Sequence, residues 1–267
     1  MPCFGEEQGA IYTFGDSDLV ARRLDLIAEI FAPTSRAFLA EAVSFRPRLA
    51  LDLGSGIAHT TRIMVDMLQP EKTIGLERSK AFLSAVRAGS CIPSVSFVEH
   101  DVTKMPLPSG GNADLIYARF LLAHLPNPER VVVDWATQLQ PGGLLLLEEV
   151  EWIWTEHPVF DTYIGIVAEM MANHGNELYV GLRLNTICEK EGLRRCLSRV
   201  ARLRPTTGQA ARVFSMNLPN WRDEPFVRAN YTDGEIDYLA TELSKLSVSR
   251  TEGEIGWRLR QIAIERT

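Results

Sequence analysis

The chain has 267 residues, of which 46% are hydrophobic and 23% charged, an ordinary globular composition long enough for one large α/β domain with decoration. Its net charge of −6, with no dense Lys/Arg run, supplies no field to gather phosphate backbones and argues against nucleic acid as a partner. The four cysteines (Cys3, Cys91, Cys188, Cys196) share no CxxC spacing, no basic start leads into an apolar leader, and runs such as 144–147 fall far short of the roughly 20 residues that cross a bilayer, so the expectation is a soluble protein of the reducing cytoplasm with no membrane partner.

Residues 17–45 carry Leu19, Leu24, Ile27, Ile30 and Phe31 at helical spacing, and Pro33 and Pro47 are expected to break this amphipathic stretch into pieces. From there, short β-rich runs alternate with helical stretches. The runs are 49–53, 73–76, 95–99, 113–117 and 143–150; between them 60–68, 79–88 and 128–139 have helical spacing. Such alternation predicts a parallel sheet with helices on both faces. Pro141-Gly142-Gly143 reads as the end of the last helix and the launch of the next strand. Farther on, 159–172 and 182–191 read as helix, 197–203 and 257–264 as strand, and 206–250 as only partly helical. No internal repeat or low-complexity tract is present.

In a parallel α/β sheet, ligands bind beyond the carboxyl ends of the strands. The stretch "LALDLGSGIAHTT" (49–61) ends a buried run on Asp52 and turns into a loop where Gly54 and Gly56 permit close backbone approach. A dinucleotide GxGxxG would need glycine where His59 stands, which argues against a nicotinamide or flavin ligand. "TIGLERS" ends the second strand on Glu77, where a carboxylate accepts both hydrogen bonds of a ribose diol. "FVEHDVTKMPLP" places Asp101 at the third tip, within reach of an adenine's exocyclic amine.

With "LDLGSG", "GLE", "HDV", "DLIYAR" and "LQPGG" in this order between residues 46 and 150, the chain resembles the class I S-adenosylmethionine-dependent methyltransferases. "YTFGDSDLVARRLDLIAEIFAPTSRAFL" and "GLRLNTICEKEGL" extend the likeness toward their small-molecule group, the quinone-biosynthesis and natural-product enzymes of secondary metabolism. The resemblance implies a Rossmann-like, doubly wound, mostly parallel seven-stranded sheet with helices on both faces, an N-terminal helical cap and a helical insertion before the last strand. The domain plan it implies is a cap over 1–45, a cofactor-binding core over 46–205 with a candidate lid in 151–180, a substrate cap over 206–250 and a final core strand in 251–267. The implied cofactor is S-adenosylmethionine, with S-adenosylhomocysteine as product. Gly54, Ser55 and Gly56 would line its methionine part, with Asp52 organising that loop. Glu77 would hold the ribose, Asp101 the adenine amine, and the Val102 amide would lie near an adenine ring nitrogen. Arg78 would flank the adenine, where an aliphatic stem is more usual, and Ala118 and Arg119 would sit beside the methionine or the sulfonium. Tyr12 and Arg23 would close over the cofactor's carboxylate. Ala58 stands where the family usually has a further glycine.

The reaction so implied is an in-line displacement onto an O, N or C atom of a small acceptor, partly apolar or aromatic, driven by positioning and desolvation. His124 and Glu149 are the candidates for taking a proton from the acceptor. His124, on "FLLAHLP", also reads as a core residue, and strand alternation leaves open whether Glu148 or Glu149 faces the site. Trp152, Trp154 and Phe160 are candidate cavity walls, and Trp221, Phe226, Tyr231 and Tyr238, dispersed through 206–250, suggest an organic acceptor of some size. No metal-ligand spacing is seen, and a homodimer remains open. Two other readings stand beside this one: the same fold without methyl transfer, in a cyclase-like or binding role, and a nicotinamide-dependent oxidoreductase, which would need the absent third glycine and a Tyr-xxx-Lys pair.

Overall fold

The structure, a computed structural model, describes residues 18–89, 92–187 and 192–267. Strands β1 (Leu49–Leu53), β2 (Lys72–Glu77), β3 (Val95–Glu99), β4 (Ala113–Arg119) and β5 (Leu139–Thr155) pair in parallel; β7 (Ile255–Arg266) lies antiparallel between β5 and β6 (Leu193–Leu203). The sheet order is β3-β2-β1-β4-β5-β7-β6. This is the expected seven-stranded, mostly parallel, doubly wound sheet.

Both faces of the sheet are covered, which is why the central strands read as unbroken apolar runs. Alternate residues go to opposite layers. Leu51, Leu53, Ile116, Leu145 and Leu147 join one cluster, together with α4 (Pro128–Ala136), α5 (Pro158–Asn173), α7 (Thr207–Trp221) and α9 (Asp233–Leu246). Ala50, Leu115, Tyr117, Leu144 and Leu146 join the other, together with α1 (Asp18–Ala42) and α2 (His59–Leu68). Each fully buried leucine among these contributes about 2 kcal/mol. Helix α3 (Lys80–Gly89) connects β2 to β3 and buries Phe82, Leu83 and Val86.

Four expectations are corrected. Pro33 does not divide α1, which passes through it unbroken. Proline removes only its own donor, the Thr34 and Ser35 hydroxyls both bond to the Phe31 carbonyl, and Phe31, Phe38 and Leu39 are buried on either side. The PGG tripeptide does not precede β5 but lies within it: α4 ends at Ala136, and the pairing of β4 with β5 is irregular between Ala113 and Leu115. The helix expected over 182–191 is a 3-10 turn (Val180–Arg183) followed by α6 (Leu184–Ile187); residues 188–191 lie outside the described part. The segment 206–250 holds α7, α8 (Pro225–Asn230) and α9, more helix than expected. Its signals were present: Thr206 with Gln209 and Thr232 with Glu235 form capping boxes, and Glu224 caps α8 ahead of Pro225. No helix of the described residues is long and apolar enough to cross a membrane.

Candidate active site

A cavity of about 720 Å³ opens at the carboxyl ends of the central strands, where β1 has β2 on one side and β4 on the other. That is the switch point of a doubly wound sheet. One end of the cavity is polar and is built on the loops after β1, β2 and β3. The other is apolar and is built from α1, the loop after β4, β5, α5, α7 and β7.

At the polar end, the amides of Gly54 and Ser55 both donate to the Leu76 carbonyl (2.9 and 3.1 Å), tying the glycine loop to the end of β2. Gly54 and Gly56 have φ of 65° and 52°, and a Cβ on Gly54 would lie 3.0 Å from Leu121 Cδ1. Ala58 adopts φ 70° as well, so the alanine found in place of a glycine bears left-handed strain of about 1 kcal/mol. Glu77 is held before any ligand arrives. Its Oε2 accepts from the Gly56 amide (2.9 Å), and its Oε1 from the amides of Arg78 (2.7 Å) and Ser79 (2.8 Å). Asp101 Oδ1 accepts from the Thr103 amide (2.9 Å) and hydroxyl (2.7 Å). Burial works to raise its pKa, but those two bonds hold the carboxyl below its usual range. Among the described residues nothing donates to its Oδ2. Val102, Arg78 and Ser55 also line this end, and the buried Ser55 Oγ has no partner among the described residues.

Asp52 stands apart from these groups. It is 1% exposed and does not line the cavity, so it makes no direct contact with a ligand there. Its Oδ2 accepts from the hydroxyls of Thr60 (2.7 Å) and Thr61 (2.5 Å), clamping the first turn of α2, whose N-cap Ala58 has no capping side chain. Burial pushes its pKa up to about 6 despite those bonds. Arg119 and Arg23 both line the cavity; Arg119 donates to Ser35 Oγ (3.0 Å) and Arg23 is buried. Tyr12 lies outside the described residues.

The parity of β5 is resolved. Glu148 turns to the α1 layer, accepting from Ser35 (2.9 Å), Gln261 (2.8 Å) and Tyr117 (3.3 Å). Glu149 turns to the cavity. Its Oε1 accepts from the amides of Leu121 and Leu122 (both 2.8 Å), its Oε2 is buried without a partner among the described residues, and burial pushes its pKa up to about 8. His124, on the 3-10 turn Leu122–His124, lines the same cavity; burial, with the Arg23 charge beside it, lowers its pKa to about 4.

The apolar wall went unread in the sequence. Phe31 meets Phe120 edge-on at 5.0 Å and Trp257 at 6.0 Å, and Phe214 meets Trp257 at 6.0 Å. Phe120, directly after β4, holds φ 54°, a strained setting for a bulky side chain that costs about 1–3 kcal/mol. Its position next to the "DLIYAR" motif was the one available signal. The aromatic residues singled out in the sequence lie elsewhere: Trp152 is 45% exposed and packs on Tyr179, Phe160 is in the core, Trp221 packs on Tyr163, and Tyr238 is 64% exposed. Trp154, Phe226 and Tyr231 do not line the cavity either; Val213 and Phe214 of α7 do. Among the described residues no group of three or more His, Cys, Asp or Glu is arranged to hold a metal.

Residues 51–147 match the family described as "Methyltransferase domain". A trans-aconitate 2-methyltransferase of Methylobacterium radiotolerans is 32% identical over 102 residues, 38% of this chain and 38% of its own length. A malonyl-[acyl-carrier protein] O-methyltransferase of Halalkalibacterium halodurans is 34% identical over 104 residues, again 38% of each. The chain thus spans less than two-fifths of the length of these relatives. A solved structure from Bacillus halodurans, provisionally assigned as a methyltransferase, superposes with a TM-score of 0.59 over 88% of this chain and 99% of that one at 16% identity, a likeness of fold.

Proposed function

We propose that this chain, whose residues 51–147 form a methyltransferase domain of the class I S-adenosylmethionine-dependent kind, moves a methyl group from that cofactor to an O, N or C atom of a small, largely apolar organic acceptor. The observation that carries this reading is the single cavity of about 720 Å³ joining the strand-tip carboxylates to an aromatic wall. One enclosed space can thereby hold donor and acceptor end to end. The residues fit the cofactor: two left-handed glycines leave room at the loop, Ser55 Oγ awaits a polar partner, and two guanidinium groups suit the methionine carboxylate.

When bound, the sulfonium supplies an activated methyl for in-line displacement. The chain's own residues bind, align and exclude water. Glu77 would accept from the ribose hydroxyls, Asp101 through Oδ2 from the adenine amine, and Val102 would place its amide beside the ring. Arg23 and Arg119 would face the carboxylate. Phe31, Phe120, Phe214 and Trp257 would press the acceptor against the methyl. At neutral pH Glu149 keeps its proton and His124 lacks one. Of the two, only His124 has an open position for a proton, and the burial that keeps it neutral makes it a weak base; Glu149 is the one able to donate a hydrogen bond that orients the acceptor. The named acceptors of the two curated relatives are acids; a wall of aromatic rings with these two groups neutral favours an uncharged, ring-bearing acceptor here.

Calorimetric titration with S-adenosylmethionine and, separately, NADH tests the reading. Binding of the first alone, weakened in Glu77→Ala and Asp101→Ala, is the expected outcome. Binding of NADH, or of neither, sinks it. With an acceptor in hand, a methylated product together with S-adenosylhomocysteine is expected, and an unmethylated, rearranged product would point to the fold acting without transfer.

A further inference from the structure

A second concavity, of about 220 Å³, lies at the antiparallel edge of the sheet and is lined by Arg202, Arg204, Arg258 and Trp154 among others. The strand register puts these four on one face. Arg202 stands directly opposite Arg258, and Arg204 follows Arg202 by two residues, just past the end of β6. Trp154 stands opposite Gly256, two residues before Arg258 along β7. All three arginines are exposed. Among the described residues no carboxylate pairs with any of their guanidinium groups. Neighbours on the same strands are paired: Arg260 with Glu151, Arg194 with Glu265, Arg199 with Glu41.

Composition does not explain this, since the chain has 34 acidic residues against 28 lysines and arginines. Like charges directly opposite across a ladder destabilise a sheet. An anion seated between them would reverse the sign of that interaction. The aromatic wall is also fixed in place. A Cβ on Gly256 would lie 2.5 Å from Trp154 Nε1, so only glycine lets the indole lie against β7, and the Arg204 guanidinium carbon sits 5.7 Å from the centroid of that ring. The concavity therefore combines three unneutralised forked donors with a flat apolar wall.

We propose that this edge pocket binds a small phosphate-type oxyanion carrying a planar ring, with Arg202, Arg204 and Arg258 on the oxyanion and Trp154 against the ring. The pocket shares Trp257 with the methyl-transfer cavity and no other lining residue, and the proposal stands whether or not that activity is found. Calorimetric titration of the full chain at constant ionic strength, with inorganic phosphate and with phenyl phosphate, tests it. Saturable one-to-one binding is expected, tighter for phenyl phosphate. The double variant Arg202→Gln/Arg258→Gln is expected to weaken both ligands by about tenfold or more without lowering Tm, because it removes an exposed repulsive pair. Trp154→Leu is expected to erase the preference for the phenyl ester. Absence of saturable binding, wild-type affinity in the double variant, or a loss that follows Arg119→Gln instead, which would place the anion in the large cavity, overturns the proposal. Should the double variant fail to fold, Arg204→Gln alone is held to the same criterion.

Discussion

At the glycine-loop end of the cavity the carboxylates are met by donors: Glu77 by three backbone amides, Asp101 by an amide and a hydroxyl. At the other end, Glu149 receives two amides on one oxygen and leaves the second buried and unpartnered, while His124 is driven toward its neutral form. The first region presents carboxylate oxygens held in place by those donors and is ready for hydroxyl and amine groups. The second discards charge and is ready to exclude water. The same buried sheet supports both, because the first is made of strand tips, where backbone amides are free to cap an acid, and the second of side chains sent over the sheet by helices distant in sequence.

The contrast breaks most visibly at Glu149. An acid with its pKa raised in the folded state keeps a proton that the unfolded chain releases, so stability falls as pH rises from about 4.5 to about 8 and stays lower beyond. Glu149→Gln keeps an oxygen for the Leu121 and Leu122 amides and removes that slope. Urea denaturation of the two proteins is expected to coincide near the acid end of this window and to favour the variant at its alkaline end by on the order of a few kcal/mol. His124 gives the opposite limb. Its lowered pKa means the unfolded chain takes the proton first, so stability rises with pH from about 4 to about 6.5, and His124→Asn is expected to flatten that rise.

On the polar side, Glu77→Ala is expected to reduce affinity for S-adenosylmethionine by about 100-fold, near 3 kcal/mol, since it frees three amides as well as removing the ribose acceptor. Asp101→Ala, which touches a single anchor, is expected to cost about tenfold. Equal losses in the same titration would mean that the two acids do not differ in how they organise the loop. The smallest effect is expected at Thr61→Val, which leaves Asp52 with one hydroxyl donor: about 1 kcal/mol, read as a fall of about 2–4 °C in Tm.

How much of this was legible follows the same division. Gly54, Glu77 and Asp101 could be read because a strand tip is a local event: a buried apolar run stops, and a small or acidic residue follows. Asp52 stands at such a tip and is expected to organise the loop, yet its Oδ2 is taken by the Thr60 and Thr61 hydroxyls of the first turn of α2, a pairing no local pattern announces. Phe31, Phe214 and Trp257 could not be read, since nothing local distinguishes a cavity wall from core packing and the three are separated by most of the chain. Pro33 was overweighted for a related reason: a local break signal lost to burial of the helix on both sides of it.

The divergence of Glu148 and Glu149 onto opposite layers constrains how this chain can vary by descent. One residue gained or lost between Leu144 and Glu148, where the pairing is regular, would exchange them, sending one acid among aromatic rings and the other against Ser35 and Gln261, and would invert part of the Leu145 and Leu147 layer in the same event. Point replacement alters one layer at a time, whereas a change of length in this strand alters both at once. β5 is irregular on both sides of this regular stretch, against β4 between Leu139 and Leu144 and against β7 between Val150 and Trp152. Relatives are thus expected to keep the spacing from Leu144 to Glu149 while varying in length outside the sheet, in stretches such as 222–234, where an added residue disturbs no strand parity.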